Sequence, residues 1–329
     1  MTAPGRSRSA VVLGQVARDL VLAVDALPDG GASTAVRDRR ELLGGKGANQ
    51  ALACLRLGLG AAVVGVVGDD GAGRDVLAQA RADGIDVDGV VRRDGSPTAL
   101  LTDVVEADGT RRLLEDVPAG TLLTAADVRA SSARIGSADA VLLQLQQPRA
   151  AVLEGLRVAG AGALVVADGA PPDDDVRDEL VAHAHVLRAD AAETAALVGR
   201  DPVGVEETVE AAHQLRSRGP VLVALAAGQE ENVVVWDGGH VVMPLLDGDV
   251  VDPTGAGDAF TAALAAGLLH GRTPEEAAWW ASAAAVLAVG TLGGRPEFDL
   301  ATVRERADRA RTGAASPRQA PNGKRPAGS

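Results

Sequence analysis

The chain has no tyrosine, a single cysteine and only 2% aromatic residues, although 47% of its residues are hydrophobic. Any core must therefore be built from valine, leucine and alanine. No apolar run reaches the roughly 18 residues that a membrane-spanning helix needs, so we expect no membrane partner. The polar residues 1–10 do not resemble a secretion signal, and Cys54 has no second cysteine with which to form a disulfide. These features predict a globular protein of the reducing cytoplasm.

Lysine is also scarce, and acidic residues outnumber basic ones. The 45 aspartates and glutamates against 32 lysines and arginines give a net charge of −13. Because binding to a nucleic acid backbone needs clustered cations, this balance does not favour DNA or RNA as a partner. The only lysines are Lys46 and Lys324, and Lys46 lies within the glycine-rich segment Gly44-Gly45-Lys46-Gly47.

Short β-branched runs alternate along the chain with longer helical patterns, which is typical of a parallel sheet with crossover helices. Several of the runs are continuously apolar, as expected of strands that are covered on both faces. The predicted strands are residues 10–13, 61–67, 140–145, 164–167, 186–188 and 221–225. The predicted helices between them are residues 49–57, 73–82, 125–135, 149–159, 174–182 and 205–218. A hairpin of residues 232–236 and 240–243 follows, and then two alanine-rich helices at residues 258–269 and 274–289.

Two stretches, residues 16–40 and 98–114, do not follow this rhythm. They alternate more strictly, carry many charges and contain glycine-rich turns, as strands with one wet face do. We expect them to form a small β-sheet flap, drawn from about residues 15–41 and 98–114 of one domain that spans residues 10–310. Residues 1–9 are predicted to be a flexible tail, and residues 311–329, rich in proline, glycine, serine and arginine, to be disordered.

The most informative segment is Val251-Asp252-Pro253-Thr254-Gly255-Ala256-Gly257-Asp258-Ala259-Phe260. Its glycines remove side chains from a loop that leads into a helix, so the backbone N–H groups of residues 255–257 are expected to face an anion at the helix N-terminus. A carboxylate at that point suits a base that aligns a substrate hydroxyl with a bound phosphoryl group. Asp258 as an ordinary helix cap is the alternative.

Another glycine-rich segment lies earlier in the chain and also runs into a helix: Gly44-Gly45-Lys46-Gly47-Ala48-Asn49-Gln50-Ala51. In chain order we call residues 44–51 the first glycine-rich segment and residues 251–260 the second. The small residues of the first segment let a polyol approach the backbone, and Asn49 offers both a donor and an acceptor to a pair of hydroxyls. A simple glycine-rich turn with an asparagine cap would have the same composition. The Walker sequence of ATPases, G-x-x-x-x-G-K-[ST], does not occur.

Together the two segments resemble those of the PfkB (ribokinase-like) carbohydrate kinases, and the likeness extends over about residues 10–305. The resemblance implies a three-layer α/β/α sandwich with a mostly parallel central sheet and a small β-sheet lid. It also implies an ATP-dependent kinase that uses Mg²⁺ and phosphorylates a primary hydroxyl of a small sugar. Lid strands often pair between subunits in this family, so a homodimer through the lid is expected.

The resemblance assigns roles to residues of this sequence. Asp258 is implied to be the base, with the amides of Gly255, Ala256 and Gly257 as the anion hole. The implied sugar-binding residues are Asp19, Gly45, Lys46, Asn49 and Gln146. The implied nucleotide-binding residues are Asp190, Glu193, Gly228 and Ser282. A monovalent cation, K⁺, is implied near Asp252, Thr254, Ala288, Thr291 and Gly293.

The sequence departs from the family pattern at several of these places. Ala17 stands where ribokinases carry an asparagine, and Gln146 stands where they carry a glutamate. The family's Asn-x-x-Glu element begins here with Asp190, and its Gly-x-x-Gly element ends with Glu231 in the segment Gly228-Gln229-Glu230-Glu231. Ser282 is smaller than the polar side chain that is common near the adenine.

The sequence therefore fits three functions. The segment of residues 44–51 favours ribose as the acceptor. The altered sugar contacts leave another pentose, a ketohexose or a nucleoside as alternatives. The altered nucleotide elements are also compatible with a non-catalytic relative that only binds a sugar or a nucleotide.

Overall fold

A computed structural model of the 329-residue chain describes residues 7–228, 231–246, 248, 250–291, 293 and 295–314. The strands are β1 (Ser9–Leu13), β2 (Ala17–Val24), β3 (Val36–Gly44), β4 (Gly60–Gly68), β5 (Asp86–Arg93), β6 (Leu100–Val105), β7 (Arg111–Asp116), β8 (Ala140–Gln144), β9 (Leu164–Asp168), β10 (Val186–Ala189), β11 (Leu222–Ala227), β12 (Glu231–Trp236) and β13 (Gly239–Pro244). The helices are α1 (Lys46–Arg56), α2 (Gly71–Asp83), α3 (Ala125–Ala130), α4 (Ser132–Gly136), α5 (Arg149–Val158), α6 (Asp174–His183), α7 (Thr194–Val198), α8 (Gly204–Arg216), α9 (Ala256–Leu269), α10 (Pro274–Ala288) and α11 (Leu300–Ala314).

Nine strands form one large sheet in the order β13-β12-β11-β10-β9-β8-β1-β4-β5. The strands from β11 to β5 pair in parallel, and the hairpin β12–β13 adds two antiparallel strands at one edge. One apolar core lies between the sheet and helices that include α1, α9 and α10, and a second lies on the opposite face against helices that include α5, α6 and α8. This three-layer arrangement confirms the predicted α/β/α fold.

The packing of α9 against α10 explains how a chain with so few aromatic residues fills its core. Alanine is the most frequent residue of both helices, and nearly every residue of α9 is buried. A Cβ atom on Gly267 would lie 2.9 Å from the Cα of Ala277, so the two backbones come close enough to exclude larger side chains. Because the side chains at this contact are small, the two helices pack closely together, and the interior stays dense without large side chains.

Some elements differ from those that the sequence predicts. The edge strand β5 was not predicted, because its charged and glycine residues hide the alternation of buried positions. The helix predicted at residues 125–135 is divided at Ser131 into α3 and α4. The tail predicted to be disordered from residue 311 begins inside α11, which continues to Ala314. Residues 315–329 and 1–6 lie outside the described part of the chain.

A second sheet forms from the two charged, alternating stretches, as predicted. Its four strands have the order β3-β2-β6-β7, in which β2 pairs in parallel with β6 and the other pairs are antiparallel. We call this sheet the lid. Because β3 ends at Gly44 and α1 begins at Lys46, the lid leads directly into the first glycine-rich segment. Within the described ranges, none of the helices is both long and apolar enough to span a bilayer.

Candidate active site

A cleft of about 590 Å³ lies between the lid and the carboxyl ends of the parallel strands. Ligands of open α/β sheets bind at this edge, because the loops that follow the strands converge there. The cleft is lined by lid residues, by the start of α1, by the loops after β8, β10 and β11, and by the start of α9. Of the residues singled out from the sequence, those that line it are Asp19, Gly45, Lys46, Asn49, Gln146, Asp190, Gly228, Thr254, Gly255, Ala256, Gly257 and Asp258.

The first turn of α9 presents the second glycine-rich segment to the cleft. Gly255 is the N-cap and has a left-handed backbone with φ of +77°, a conformation that favours glycine. The N–H groups of a first helical turn have no partner within the helix, so they can bind an anion together with the helix dipole. A Cβ on Gly257 would lie only 2.9 Å from Nη2 of Arg188, so a side chain here would displace the guanidinium from its place beside this turn.

Asp258 lies in the same turn and is buried, with 6% of its surface exposed. Its carboxylate accepts hydrogen bonds from two side chains of α1. Gln50 Nε2 donates to Oδ1 at 3.1 Å, and Asn49 Nδ2 donates to Oδ2 at 3.4 Å. Burial and the neighbouring charge of Asp168 raise the pKa of Asp258 to about 7, against the opposing effects of Lys46 and the two amides. At neutral pH the carboxyl group is therefore close to the midpoint of its titration.

A network of hydrogen bonds and ion pairs connects Asp258 to the ends of strands β9 and β10. Gln50 Nε2 also donates to Asp168 Oδ2 at 2.8 Å, and Arg188 Nη1 donates to Asp168 Oδ1 at 2.9 Å. Arg188 also lies 3.7 Å from Glu193 Oε2, while Lys46 Nζ donates to Glu193 Oε1 at 3.3 Å. Burial alone would lower the pKa of Lys46, but the surrounding carboxylates outweigh it and raise that pKa, so the ammonium group is charged.

Three residues of this network were not predicted from the sequence: Gln50, Asp168 and Arg188. Asp168 had a usable signal, because it ends an apolar strand at the edge where ligands bind. Arg188 lies in the middle of a short apolar strand, a position where a charged residue needs a partner. Gln50 lies within the segment of residues 44–51, but the sequence predicted no role for it.

The first glycine-rich segment allows the turn after β1 and the start of α1 to touch. A Cβ on Gly47 would lie 2.6 Å from the carbonyl carbon of Gly14, and a Cβ on Gly45 would lie 2.7 Å from the backbone oxygen of Gln15. Gly45 also has a φ of +86°. Glycine at these positions is therefore required for the backbone contact, which in turn brings Lys46 and Asn49 to the cleft.

Asp19 on β2 lines the cleft from the lid side and is 3% exposed. Burial, followed by the charges of Asp103 and Asp258, raises its pKa to about 8, although Arg111 and the Gly45 N–H act in the opposite direction. Its Oδ1 atom is buried and has no hydrogen-bond partner among the described residues. A hydroxyl donor from a ligand would satisfy it.

The residues assigned to the nucleotide are divided between the cleft and its surroundings. Asp190 and Glu193 bind each other, because the Asp190 N–H donates to Glu193 Oε2 at 3.0 Å and the Glu193 N–H donates to Asp190 Oδ1 at 3.0 Å. Gly228 lines the cleft with φ of +68°, whereas Gln229 and Glu230 lie outside the described residues. Ser282 is buried within α10, and Ala285, one turn further along, lines the cleft.

Two of the residues assigned to a monovalent cation, Thr254 and Gly293, bind the buried carboxylate of a third, Asp252. Asp252 Oδ1 accepts from the N–H of Thr254 at 2.9 Å, and Oδ2 accepts from the N–H of Gly293 at 2.8 Å. The hydroxyl of Thr291 lies 3.4 Å from the carbonyl oxygen of Ala288. Asp252 therefore ties the loop before α9 to the segment after α10. No group of three or more His, Cys, Asp and Glu side chains suited to a metal ion occurs among the residues that the structure describes.

The chain belongs to the pfkB family of carbohydrate kinases, whose family model matches residues 7–299. It is 30% identical to the ribokinase of Bacillus subtilis, over 88% of this chain and 96% of that protein. It is 31% identical to the ATP-dependent ribose-1-phosphate kinase of Halopiger xanaduensis, over 86% of this chain and 92% of that protein. The solved structure of Arabidopsis thaliana ribokinase complexed with ribose and ATP superposes with a TM-score of 0.74 at 25% identity, over 92% of this chain and 99% of that chain.

The raised pKa of Asp19 predicts a pH-dependent cost to stability. A carboxyl group that titrates near 8 in the folded chain and near 4 in the unfolded chain is protonated only in the folded state between these values, so stability falls as the pH rises from about 4 to about 8. We expect Asp19→Asn to raise the melting temperature at pH 8 by at least about 2 °C, and by less at pH 5. Asp29→Asn, an exposed lid carboxylate, is the control. Equal shifts at both pH values would contradict the prediction.

Proposed function

We propose that this kinase transfers the terminal phosphoryl group of ATP to a primary hydroxyl of ribose. The observation that carries the proposal is the buried Asp258 in the first turn of α9, with Asn49 and the glycine turn in the same cleft. A carboxylate with a pKa of about 7 is well matched to proton transfer at neutral pH. The non-catalytic alternative is disfavoured, because a protein that only binds its ligands has no need to bury a base beside an anion-binding turn.

In this mechanism Asp258 orients the acceptor hydroxyl and takes its proton as the oxygen attacks the terminal phosphorus of ATP. The bond from that phosphorus to the bridging oxygen breaks, and ADP leaves. The N–H groups of Gly255, Ala256 and Gly257 would hold the charge on the phosphoryl group in transit. Lys46 and Arg188 add positive charge near this point, and their ion pairs with Glu193 and Asp168 hold them in place.

The charge balance of the cleft fits a bound Mg²⁺. Around the phosphoryl-transfer point, four carboxylates (Asp168, Asp190, Glu193 and Asp258) face two cations, Lys46 and Arg188. Asp190 and Glu193 are the residues that would hold the ion, through water or directly, together with the phosphates of ATP. When bound, Mg²⁺ would neutralise charge on the phosphates.

K⁺ is a further proposed ligand, at the backbone near Asp252 and Gly293. The hydrogen bonds of Asp252 already join the anion-hole loop to the segment after α10. A cation beside this carboxylate would stiffen the same connection, so we expect activation of catalysis rather than an absolute requirement.

Ribose is proposed over the alternatives because of the names of the relatives and the segment of residues 44–51. The Bacillus subtilis relative is a ribokinase, and the Arabidopsis thaliana structure holds ribose and ATP. Ala17 and Gln146 differ from the ribokinase pattern, which keeps another pentose, a ketohexose or a nucleoside as the second candidate. Gln146 lines the cleft, where its Oε1 accepts from Gln144 at 2.9 Å.

The test is a coupled assay of ADP release with Mg²⁺ and ATP against ribose, other pentoses, ketohexoses and nucleosides, with and without K⁺. We expect the highest kcat/KM with ribose and an increase with K⁺. A higher kcat/KM with another neutral acceptor would identify that compound, and not ribose, as the substrate. Failure of every acceptor, together with no heat of binding for Mg-ATP in calorimetry, would overturn the proposed kinase activity.

Asp258→Asn tests the base directly. The amide keeps the shape and hydrogen-bonding capacity of the side chain but cannot accept the proton, so kcat should fall by about 10²- to 10⁴-fold. Ribose binding, measured by calorimetry, should remain. Asp94→Asn, in an exposed turn, removes a carboxylate elsewhere and should leave kcat unchanged. An Asp258→Asn enzyme that turns over at near the wild-type rate would show that another group is the base.

The outer face of the lid supports the proposed homodimer. Strand alternation directs Leu114 of β7 away from the cleft, where it is 60% exposed. Leu20, Leu22 and Leu100 on the neighbouring strands share that face and are only half-buried. An apolar face of this kind on a small sheet fits a second copy of the same lid.

We expect Leu114→Glu to convert a dimer of the wild-type protein into a monomer at micromolar concentration, measured by sedimentation velocity. A buried glutamate without a partner would be costly at the proposed interface. The matched control is Val203→Glu, because Val203 is 76% exposed on a different part of the molecule. A wild-type protein that sediments as a monomer, or a variant that remains dimeric, would contradict the assignment of this interface.

A further inference from the structure

The inner face of the lid carries a group of charges that the mechanism does not use. The register of β2, β6 and β7 directs Asp19, Leu101, Asp103, Arg111, Leu113 and Glu115 to the same side, and all six line the cleft. Asp103 is the most enclosed of the three carboxylates, with 1% of its surface exposed. It therefore forms part of the lid wall of the cleft.

Arg111 is the partner of Asp103, but it is shared. Its Nε atom lies 2.5 Å from Asp103 Oδ1 and 4.0 Å from Asp252 Oδ1. Burial raises the pKa of Asp103, Arg111 lowers it, and the charges of Asp252 and Glu115 raise it again. The single guanidinium of Arg111 thus acts on the carboxyl groups of Asp19, Asp103 and Asp252.

The other cations of the cleft do not offset the charges of Asp103, Glu115 and Asp252. Among the described residues that line the cleft, the cations besides Arg111 are Lys46 and Arg188. Both are engaged at the phosphoryl-transfer point, with Glu193 and Asp168. Among the described residues, the lid end of the cleft is therefore acidic through Asp103, Glu115 and Asp252, whereas Asp19, with a pKa of about 8, is mostly protonated at neutral pH and adds a polar group without a charge.

We propose that Asp103 determines which acceptors this kinase takes, by accepting a hydrogen bond from a neutral or cationic substituent of the sugar and excluding sugars that carry a phosphate or carboxylate there. This inference rests on the proposed sugar kinase activity and narrows its substrate class. Repulsion between like charges is strong here, because buried groups are screened little by salt. A ligand anion at this wall would also lack a free cation with which to pair.

Exclusion of anionic sugars would distinguish this protein from the Halopiger xanaduensis relative, which is named as a ribose-1-phosphate kinase and is 31% identical to it. Ribose 1-phosphate keeps its primary hydroxyl free, so it is chemically competent as an acceptor. It differs from ribose by an anion at the other end of the molecule. The ratio of kcat/KM for ribose 1-phosphate to that for ribose therefore reports the anion exclusion directly.

Two variants should change this ratio in opposite directions. Asp103→Asn removes a negative charge, keeps the side-chain size and releases Arg111, so the ratio should rise at least tenfold, mainly through a lower KM for ribose 1-phosphate. Arg111→Gln removes the one positive charge of the lid wall, so the ratio should fall. Damage to the fold would lower both activities together and would not reverse the sign. Asp29→Asn, which removes an exposed carboxylate in the loop between β2 and β3, should leave the ratio unchanged.

Each outcome decides the proposal. A wild-type enzyme that prefers ribose 1-phosphate to ribose, or a ratio that stays within twofold in Asp103→Asn, would overturn it. If no acceptor is phosphorylated, the proposed kinase activity fails, and the same comparison is then made by calorimetry of ribose and ribose 1-phosphate binding. Tighter binding of ribose in the wild type, lost in Asp103→Asn, supports the role of Asp103, and equal binding of the two sugars in both proteins overturns it.

Discussion

The burial of Asp258 between α9 and α1 is the constraint on which the rest of the site depends. A carboxylate away from water is stable only if hydrogen bonds and nearby cations compensate for the lost hydration. Asn49 and Gln50 supply the hydrogen bonds, and Lys46 supplies the charge. Because all three come from the first turns of α1, the site forms only when two helices separated by about two hundred residues are packed together.

Glycine makes that packing possible. At the start of α1, glycine lets the helix touch the turn after β1, and at Gly257 it lets α9 approach Arg188. Burial within this close packing, followed by the negative charge of Asp168, raises the pKa of Asp258. The same acid-rich character extends to the lid, where Asp103 and Arg111 form the wall of the cleft. In the proposed mechanism the anion is held by backbone amides and two tethered cations, which needs no basic surface and agrees with a net charge of −13 on the chain.

The sequence predicts the parts of this arrangement that are local. The fold class, the two-part lid and the α9 turn with Asp258 follow from strand patterns and from short motifs whose residues are neighbours in the chain. Asp168 and Arg188 could not be placed in the same way, because their contacts depend on the order of strands in the sheet. The sequence pattern does not distinguish Asp103 from other charged residues of alternating strands, because the face that Asp103 occupies depends on the strand register. The edge strand β5 and the extent of α11 depend on tertiary packing and not on local pattern.

The central claim is that the folded site holds Asp258 near the midpoint of its titration at neutral pH. Infrared difference spectroscopy of the carboxyl band, with Asp258→Asn as the reference that lacks this group, measures its protonation across a pH series. A midpoint of about 7 for the band that the variant lacks is the predicted result. A midpoint near the ordinary aspartate value of about 4 would contradict the account, because the buried network would then not tune the base.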